Sequence, residues 1–466
     1  MGRIWSAFKR RFIGDRFFYR KVLMVAVPIV IQNSITNFVS LLDNIMVGRV
    51  GTEQMSGVSI VNQLVFIFNL CIFGVMSGAG IFGSQYYGDD NIEGLRDTMR
   101  FKLIAGVLVS VVGMGVMYLF GEQLIGLYLA GEETTVDRAQ TLSSGVEYMR
   151  VAVWGFLPFA IANAYASTLR ETSETVRPMM AGLAAVALNL IFNYLLIFGK
   201  FGFPRMGVSG AALATVMSRF LEIGILVIWT HRHTARNRFA VGLYRSLRIK
   251  KGLTGQILKK GLPLTANETL WAAGIAMLTQ CYSIRGVAVV AGLNISSTLS
   301  NTLNMVFVSM GNAIAILVGQ LLGAGDFAGA REWARKMIAF SMMLSMITVV
   351  LMLAFSGIFP YAYNTDQEVR DLASGFIVIY GLTAPLGAFM NASYFTIRSG
   401  GRTFITFLFD SAAVWIVCVP IAWCLGHFTT LHIFCIVAAV QLSDIIKCIF
   451  GFILVKKGVW VRRLVD

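Results

Sequence analysis

Twelve long runs of apolar residues divide this chain, and each run is long enough to cross a bilayer as an α-helix. A spanning helix needs about 20 apolar residues in succession. The runs begin near Val22, Gly57, Leu103, Val146, Met179, Val208, Ile257, Val287, Met337, Leu372, Phe404 and Leu431. Twelve such runs in 466 residues leave little chain for a soluble domain. The pattern therefore predicts an all-α integral membrane protein with twelve transmembrane helices.

Basic residues alternate from loop to loop between these spans. Thirty of the 39 Lys and Arg residues lie in the N-terminal segment, in every second loop and in the C-terminal tail. The opposite set of loops holds only six, which are Arg49, Arg138, Lys200, Arg205, Arg285 and Arg370. Cytoplasmic loops carry the excess of positive charge in membrane proteins. The distribution predicts a multi-pass protein of a cell (inner) membrane, with both termini in the cytoplasm.

Composition excludes several other classes of protein. Hydrophobic residues make up 56% of the chain and charged residues 14%, which is too little charge to cover a soluble surface. The net charge of +15 lies mostly in the inward loops, where it favours contact with anionic membrane lipids over nucleic acid. The six cysteines lie in or at the ends of apolar runs, and no nucleotide-binding loop is present, so we expect no cofactor and no ATP-driven step.

The two halves of the chain repeat one plan. With a shift of 235 residues, twelve of the seventy-five positions between Pro28 and Lys102 are identical to their counterparts. Six matches cluster, pairing Ile81, Gln85, Gly88, Gly94, Arg96 and Arg100 with Ile316, Gln320, Gly323, Gly329, Arg331 and Arg335. Six spans separate equivalent points, so the halves share one orientation and are related by an axis along the membrane normal. This suits alternating access, although a duplication that only supplies a stable helix bundle is the alternative.

The duplication predicts the organisation of the chain. We expect a cytoplasmic N-terminal segment (1–21), an N-lobe of six helices (22–231), a basic cytoplasmic linker (232–256), a C-lobe of six helices (257–456) and a cytoplasmic tail (457–466).

Several motifs resemble those of the multidrug and toxic compound extrusion (MATE) family. They are LLDNIMVGRVG (41–51), GSQYYGDDNIEGLR (83–96), its partner VGQLLGAGDFAGAR (318–331), and LNLIFNYLLIFGKFGFPRMGVSGAALATVMSR (188–219). The resemblance covers nearly the whole chain, and the last motif is its most specific part. It implies two six-helix lobes that form a V, a monomer, and export of bulky, often cationic, amphipathic compounds in exchange for Na⁺ or H⁺.

Four polar residues in the N-terminal half lie at comparable depth, about 8–15 Å below the outer surface. These are Asp43, Asn189, Asn193 and Thr215. Their oxygens form a hard set suited to Na⁺, and a desolvated carboxylate could instead carry a proton. The resemblance implies a coupling-ion site at these positions, although some relatives carry a second Asp where this chain has Asn193. The alternatives are a solvated helix end for Asp43 and interhelical hydrogen bonding for the two asparagines.

The C-terminal half carries two further acids within spans, Glu268 and Asp410, both about 12 Å from the inner boundary. They could face each other, together with Asn391, and share one proton. Such a pair predicts a site for a proton or for an organic cation. The alternative is a structural pairing with a basic group such as Arg398. Two other intramembrane pairs, Arg219 with Glu222 and Asp444 with Lys447, are spaced to neutralise each other.

These features favour an ion-coupled exporter of a small molecule, most simply an organic cation. The runner-up is a flippase for lipid-linked precursors from the same wider superfamily, which would favour a cationic cavity. An intramembrane enzyme would require clustered nucleophiles, bases or metal ligands, and the spans show no such motif.

Overall fold

The computed structural model of the protein describes residues 11–129 and 135–465, without the side chains of Leu41, Thr135 and Val136. Residues 1–10 of the expected N-terminal segment and Asp466 of the tail lie outside the described residues.

Helices make up almost all of the described chain, and no strand occurs in that part. They are α1 (Arg16–Gly48), α2 (Thr52–Gly88), α3 (Ile92–Tyr128), α4 (Thr135–Ala152), α5 (Phe156–Glu171), α6 (Val176–Phe198), α7 (Gly207–Arg232), α8 (Leu253–Ser283), α9 (Val287–Gly323), α10 (Phe327–Ser356), α11 (Gln367–Ser399), α12 (Thr403–Phe407), α13 (Val419–Phe428) and α14 (Ile433–Lys457). A 3₁₀ turn (Val153–Gly155) joins α4 to α5, and two π-helical turns (Leu408–Ala412 and Val414–Cys418) join α12 to α13. Each of these two composite segments is one span, so the predicted all-α, twelve-helix membrane fold is confirmed.

Eleven of the twelve spans are apolar enough to be recognised by composition alone in the described chain. The exception is α8, which has 31 residues and is long enough to cross. Its interior contains Asn267 and Glu268, and these polar side chains lower its mean hydropathy. The least hydrophobic span therefore carries one of the predicted site residues, Glu268.

The described chain forms two compact units that do not follow the expected lobe boundaries. Among the described residues, unit 1 takes in 11–30, Ser84–Asp90 and 262–465, and unit 2 takes in Ile31–Gly83, 91–129 and 135–261. Helices α1, α2 and α8 are therefore each divided between the units. Two of the divisions fall beside Pro28 and Pro263, the residues matched by the duplication. Proline removes a helical hydrogen bond and allows a bend.

In unit 1, the first turns of α1 pack on α10. The ring of Phe18 lies 5.0 Å from that of Trp333, and the ring of Tyr19 lies 5.1 Å from that of Phe340. Lys21 lies over the Trp333 ring at 5.4 Å. These aromatic contacts fix the first half of α1 to helices near the other end of the chain.

The repeated motifs of α2 and α9 meet each other inside unit 1. A Cβ atom placed on Gly88 would lie 1.9 Å from the carbonyl oxygen of Gln320, and one on Gly323 would lie 1.9 Å from that of Gln85. The two contacts are reciprocal, because each motif presents its glycine to the glutamine backbone of the other. Glycine is required at both positions because a side chain would overlap the facing backbone.

The basic linker is a folded part of unit 2. Two 3₁₀ turns, Arg238–Ala240 and Leu243–Arg245, lie within it. Arg100 of α3 donates to the carbonyl oxygens of Leu243 at 3.0 Å and Gly242 at 3.1 Å. The same side chain forms a 2.9 Å ion pair with Asp97. The linker is therefore held by buried charged groups of the preceding helices.

The C-terminal tail is folded against unit 1 in a comparable way. The Leu464 amide donates to Gln85 Oε1 at 2.7 Å, and Gln85 Nε2 donates to the carbonyl oxygen of Ser399 at 3.0 Å. Trp460 is only 1% exposed. The duplicated Gln85 thus holds the tail through its side chain while its backbone packs on Gly323.

Candidate functional site

Helices α1, α6 and α7 bring the four predicted residues of the N-terminal half together within unit 2. Asn193 Nδ2 donates to Asp43 Oδ1 at 2.6 Å. With the Asn189 amide oriented to satisfy both of its ends, its nitrogen lies 3.1 and 3.0 Å from the two Asp43 oxygens. Its oxygen then faces Thr215 Oγ1 at 3.2 Å. The Asp43 carboxylate is therefore held by two amide donors.

Local sequence explains this convergence. Asn189 and Asn193 are four residues apart and so project from one face of α6. A Cβ atom on Gly210 would lie 2.8 Å from the backbone of Leu196, so α6 and α7 approach more closely than larger residues would permit. Gly199 ends α6 in the left-handed conformation, with φ of 64°. The small residues of the motif thus position its asparagines.

One acceptor in this cluster is unused. Asn193 is 1% exposed, and its Oδ1 has no hydrogen-bond partner among the described residues. Such a buried acceptor costs free energy when it stays unpaired. Rotation of the amide by half a turn would direct Oδ1 at Asp43, where it could ligate Na⁺ or accept a hydrogen bond from a protonated carboxyl. The oxygen atoms of this cluster therefore fit either Na⁺ or a proton carried by Asp43.

A conventional metal centre is absent from the described part of the chain, which holds no group of three or more His, Cys, Asp or Glu side chains. Any cation at Asp43 would have to use amide and hydroxyl oxygens. Arg219 acts electrostatically on Asp43 and is itself paired with Glu222 at 2.9 Å. This confirms the predicted pairing on α7.

In the C-terminal half, α8 holds the π-helical segment through Asn267. Asn267 Nδ2 donates to Asp410 Oδ2 at 2.9 Å, and Asn267 Oδ1 accepts from the Ser411 amide at 3.3 Å. Ser411 Oγ lies 2.6 Å from the Asn267 carbonyl oxygen. Asp410 and Ser411 lie in the first π-helical turn. A π-helical turn is common at functional sites, and here it places a carboxylate against a side-chain amide.

Glu268 lies beside this cluster, near enough to Asp410 and Arg398 for its charge to interact with both. Tyr394 adds a hydroxyl 3.5 Å from Asn267 Nδ2. Asn391 makes no side-chain hydrogen bond to either acid among the described residues. The shared-proton pair with Asp410 and the pairing with Arg398 therefore both stay predictions for Glu268.

Asn267 was not among the residues predicted from sequence, yet the duplication contains a signal for it. In the 235-residue register its counterpart is Gln32, which accepts from Arg170 Nη2 at 3.3 Å. Arg170 corresponds to Arg398 at a shift of 228 residues, the register that relates the later parts of the two halves. Polar residues therefore occupy equivalent positions in both halves. Gln32 and Asn267 are similar but not identical, so a search for identical residues does not detect them.

A buried ion pair in unit 2 was also missed. Lys102 Nζ lies 2.6 Å from both carboxylate oxygens of Glu171, and its side chain is 0% exposed. By position Lys102 belongs to an inward loop, but the structure places it inside α3. A Cβ atom on Gly83 would lie 2.0 Å from Glu171 Oε2, so the glycine leaves room for the carboxylate.

The predicted Asp444–Lys447 pair is confirmed at 2.9 Å.

Known proteins resemble the chain over most of its length. The family model MatE matches residues 28–195 and 266–424. The probable multidrug resistance protein YoeA of Bacillus subtilis (strain 168) is 25% identical over 422 residues, which cover 89% of this chain and 88% of the relative. The probable multidrug resistance protein NorM of Thermotoga maritima is 22% identical over 455 residues, with 96% and 94% covered.

Solved structures share the fold. One of them is described as the outward-facing conformation of a multidrug resistance MATE family transporter of the MOP superfamily. It superposes with a TM-score of 0.85 at 18% identity and covers 96% of this chain and 97% of its own.

Proposed function

Because the chain belongs to the MATE family of multidrug efflux transporters, we propose that it works as a secondary active antiporter. It exports amphipathic, cationic compounds in exchange for Na⁺ or H⁺ by alternating access. It is a multi-pass membrane protein and not an enzyme. We further propose that it acts as a monomer in the inner membrane, among membrane lipids, with both termini in the cytoplasm.

The observation that carries this proposal is the Asp43 cluster. A carboxylate inside a membrane span costs several kcal/mol unless it is paired or hydrated, and Asp43 is held by the amides of Asn189 and Asn193. Asn193 retains one unused buried oxygen. Ion coupling requires a site in which the Asp43 carboxylate has hydrogen-bond or cation partners both when the coupling ion is bound and when it is not.

The cluster around Asp410 supports a cationic substrate. Glu268 and Asp410 lie within electrostatic range of each other, with Arg398 beside Glu268 and the Asp444–Lys447 ion pair beside Asp410. The Asp444–Lys447 pair is neutral as a whole, so the two acids and Arg398 set the remaining charge, and such a group can exchange a proton for one monovalent organic cation. The same charge balance weighs against a lipid-pyrophosphate flippase, because a pyrophosphate would need an excess of positive charge.

The test is ethidium flux in proteoliposomes that contain the purified protein, with Na⁺ and H⁺ gradients imposed separately. Ethidium is a planar organic cation and so represents the proposed substrate class. Uphill movement under one gradient, and its loss when that gradient is collapsed, is the expected result and identifies the coupling ion. If ethidium and a panel of other cationic dyes move under neither gradient, the antiport proposal is wrong.

A further inference from the structure

A concave groove lies between the ends of α1 and α6, wholly within unit 2. We call it the α1–α6 groove, and its volume is about 490 Å³. It is lined by Met46, Arg49, Leu190, Ile191, Tyr194, Leu195, Phe198 and Phe201. Seven of these eight side chains are apolar or aromatic, and Arg49 supplies the only charge. Such a lining is typical of a site for an amphipathic ligand.

The groove faces the space that lipid would occupy. Ile191 is 56% exposed and Tyr194 is 47% exposed, although both lie within a helix that is long and apolar enough to cross the membrane. From Leu190 to Phe198 the wall rises by about 12 Å, which matches part of an acyl chain. Its occupant therefore comes from the bilayer.

The loop that closes the groove is ordered by backbone hydrogen bonds. The Lys200 amide donates to the carbonyl oxygen of Leu195 at 3.1 Å, and the Phe203 amide donates to that of Lys200 at 3.1 Å. Phe201 has a φ of 54° and is 87% exposed. A positive φ is unfavourable for a residue with a large side chain, so the turn holds an aromatic ring outward at the groove.

Three basic residues lie near the groove at the level of the loop between α6 and α7. Arg49 follows the last residue of α1, while Lys200 and Arg205 lie in the loop between α6 and α7. The loops are adjacent, because a Cβ atom on Gly207 would lie 3.8 Å from Val50 Cγ1. None of the three cations forms an ion pair with another described residue. The carboxyl ends of α1 and α6 contribute only about half a negative charge each, so the rim stays positive.

We propose that the α1–α6 groove binds one anionic phospholipid of the surrounding leaflet. Its phosphate lies against Arg49, near Lys200 and Arg205, and one acyl chain lies along Leu190 and Ile191. Guanidinium and ammonium groups form charge-assisted hydrogen bonds with phosphate oxygens, which favours an anionic headgroup at this rim. The positive rim repels the organic cations proposed as substrates, so the groove is not their binding site.

Native mass spectrometry of the detergent-solubilised protein tests this site with phosphatidylglycerol and phosphatidylcholine of identical acyl chains. We expect one phosphatidylglycerol to be retained in preference to phosphatidylcholine. Arg49→Gln should weaken phosphatidylglycerol binding about fivefold. Arg138→Gln is the matched control, because Arg138 is an exposed basic residue of unit 2 that does not line the groove. Equal retention of the two lipids by the wild type would overturn the proposal, and so would equal losses in both variants.

A second variant separates the groove from the surface charge. Ile191→Trp fills the groove and leaves all three cations in place. We expect it to lose the preference for phosphatidylglycerol. If Ile191→Trp retains the lipid as well as the wild type does, charge alone attracts the headgroup and the groove is not the site.

Discussion

Asp43 combines a position within a membrane span with hydrogen bonds from two neighbouring side-chain amides. Its neighbours on α6 were predicted from depth and residue type, and the structure brings all four residues together. Sequence could not show that both asparagines turn their nitrogen atoms toward the carboxylate. Amide orientation depends on the complete hydrogen-bond network and not on residue spacing.

We expect Asp43→Asn to abolish ion-coupled ethidium export while the protein still folds. The substitution keeps the size and most of the hydrogen bonding of the side chain but removes the charge that a coupling ion must neutralise. Flux in proteoliposomes and size-exclusion chromatography measure the two properties. Asp371→Asn is the control, since this exposed acid bonds only to Gln367 of its own helix at 2.8 Å. Wild-type export by Asp43→Asn would remove Asp43 from the coupling mechanism.

The buried Lys102–Glu171 pair makes a second prediction at this scale. Lys102→Met leaves the Glu171 carboxylate without its cation and should lower the free energy of unfolding by about 3 kcal/mol. Replacing Glu171 by Leu as well should recover most of that loss. Lys336→Met breaks a more exposed pair with Glu332 on α10 and should cost roughly 0.5 kcal/mol. Chemical or thermal unfolding compares the variants, and equal losses at Lys102 and Lys336 would contradict the assignment of a buried ion pair.

Among the elements, the segment from Thr403 to Phe428 departs most from its prediction. Its span was recognisable because it is predominantly apolar, but the π-helical turns were not. The apolar pattern is the same whether the backbone hydrogen bonds join residues four apart, as in an α-helix, or five apart, as in a π-helix. Asn267 on α8 bonds to Asp410 and Ser411 in the first of these turns, a tertiary contact that local sequence does not encode.

Asn267→Leu should therefore disturb both stability and substrate binding. It removes the side-chain hydrogen bonds of Asn267 to the Asp410 carboxylate and the Ser411 amide, which costs about 1–3 kcal/mol, and it frees Asp410 to move. We expect a lower unfolding midpoint and a weaker apparent affinity for ethidium. Thr269→Val on the same helix is the control, because Thr269 is exposed and bonds only to the carbonyl oxygen of Thr265. Normal affinity in a destabilised Asn267→Leu protein would limit Asn267 to a structural role.

At the scale of the whole molecule, the duplication identified equivalent residues in the two halves but not the way in which its copies meet. Gly88 and Gly323 are identical in register, and that identity was the available signal. Only the structure shows that each packs on the glutamine backbone of the other copy, within unit 1. Comparison of a sequence with itself identifies equivalent residues, but it carries no information about contact between them.

This contact predicts that Gly88→Ala and Gly323→Ala are damaging to a similar degree. In each variant the new methyl group would lie 1.9 Å from a carbonyl oxygen that cannot move without its helix. We expect each to lower the free energy of unfolding by about 2 kcal/mol or more. Gly115→Ala on α3 is the control, since nothing lies within 4 Å of its added carbon. If only one of the two glycines proves sensitive, the reciprocal packing is not what constrains them.

The division of α1 beside Pro28 has a consequence for how the protein is made. The turns of α1 that end at Val30 are synthesised long before their aromatic partners Trp333 and Phe340. Unit 2, in contrast, is complete once Gly261 has been translated. When domains fold in order of synthesis, unit 2 therefore folds early, and the first turns of α1 pack only after α10 has been made. A chain whose synthesis stops before α10 leaves the aromatic residues of those turns exposed, and cellular quality control can recognise such an exposed segment.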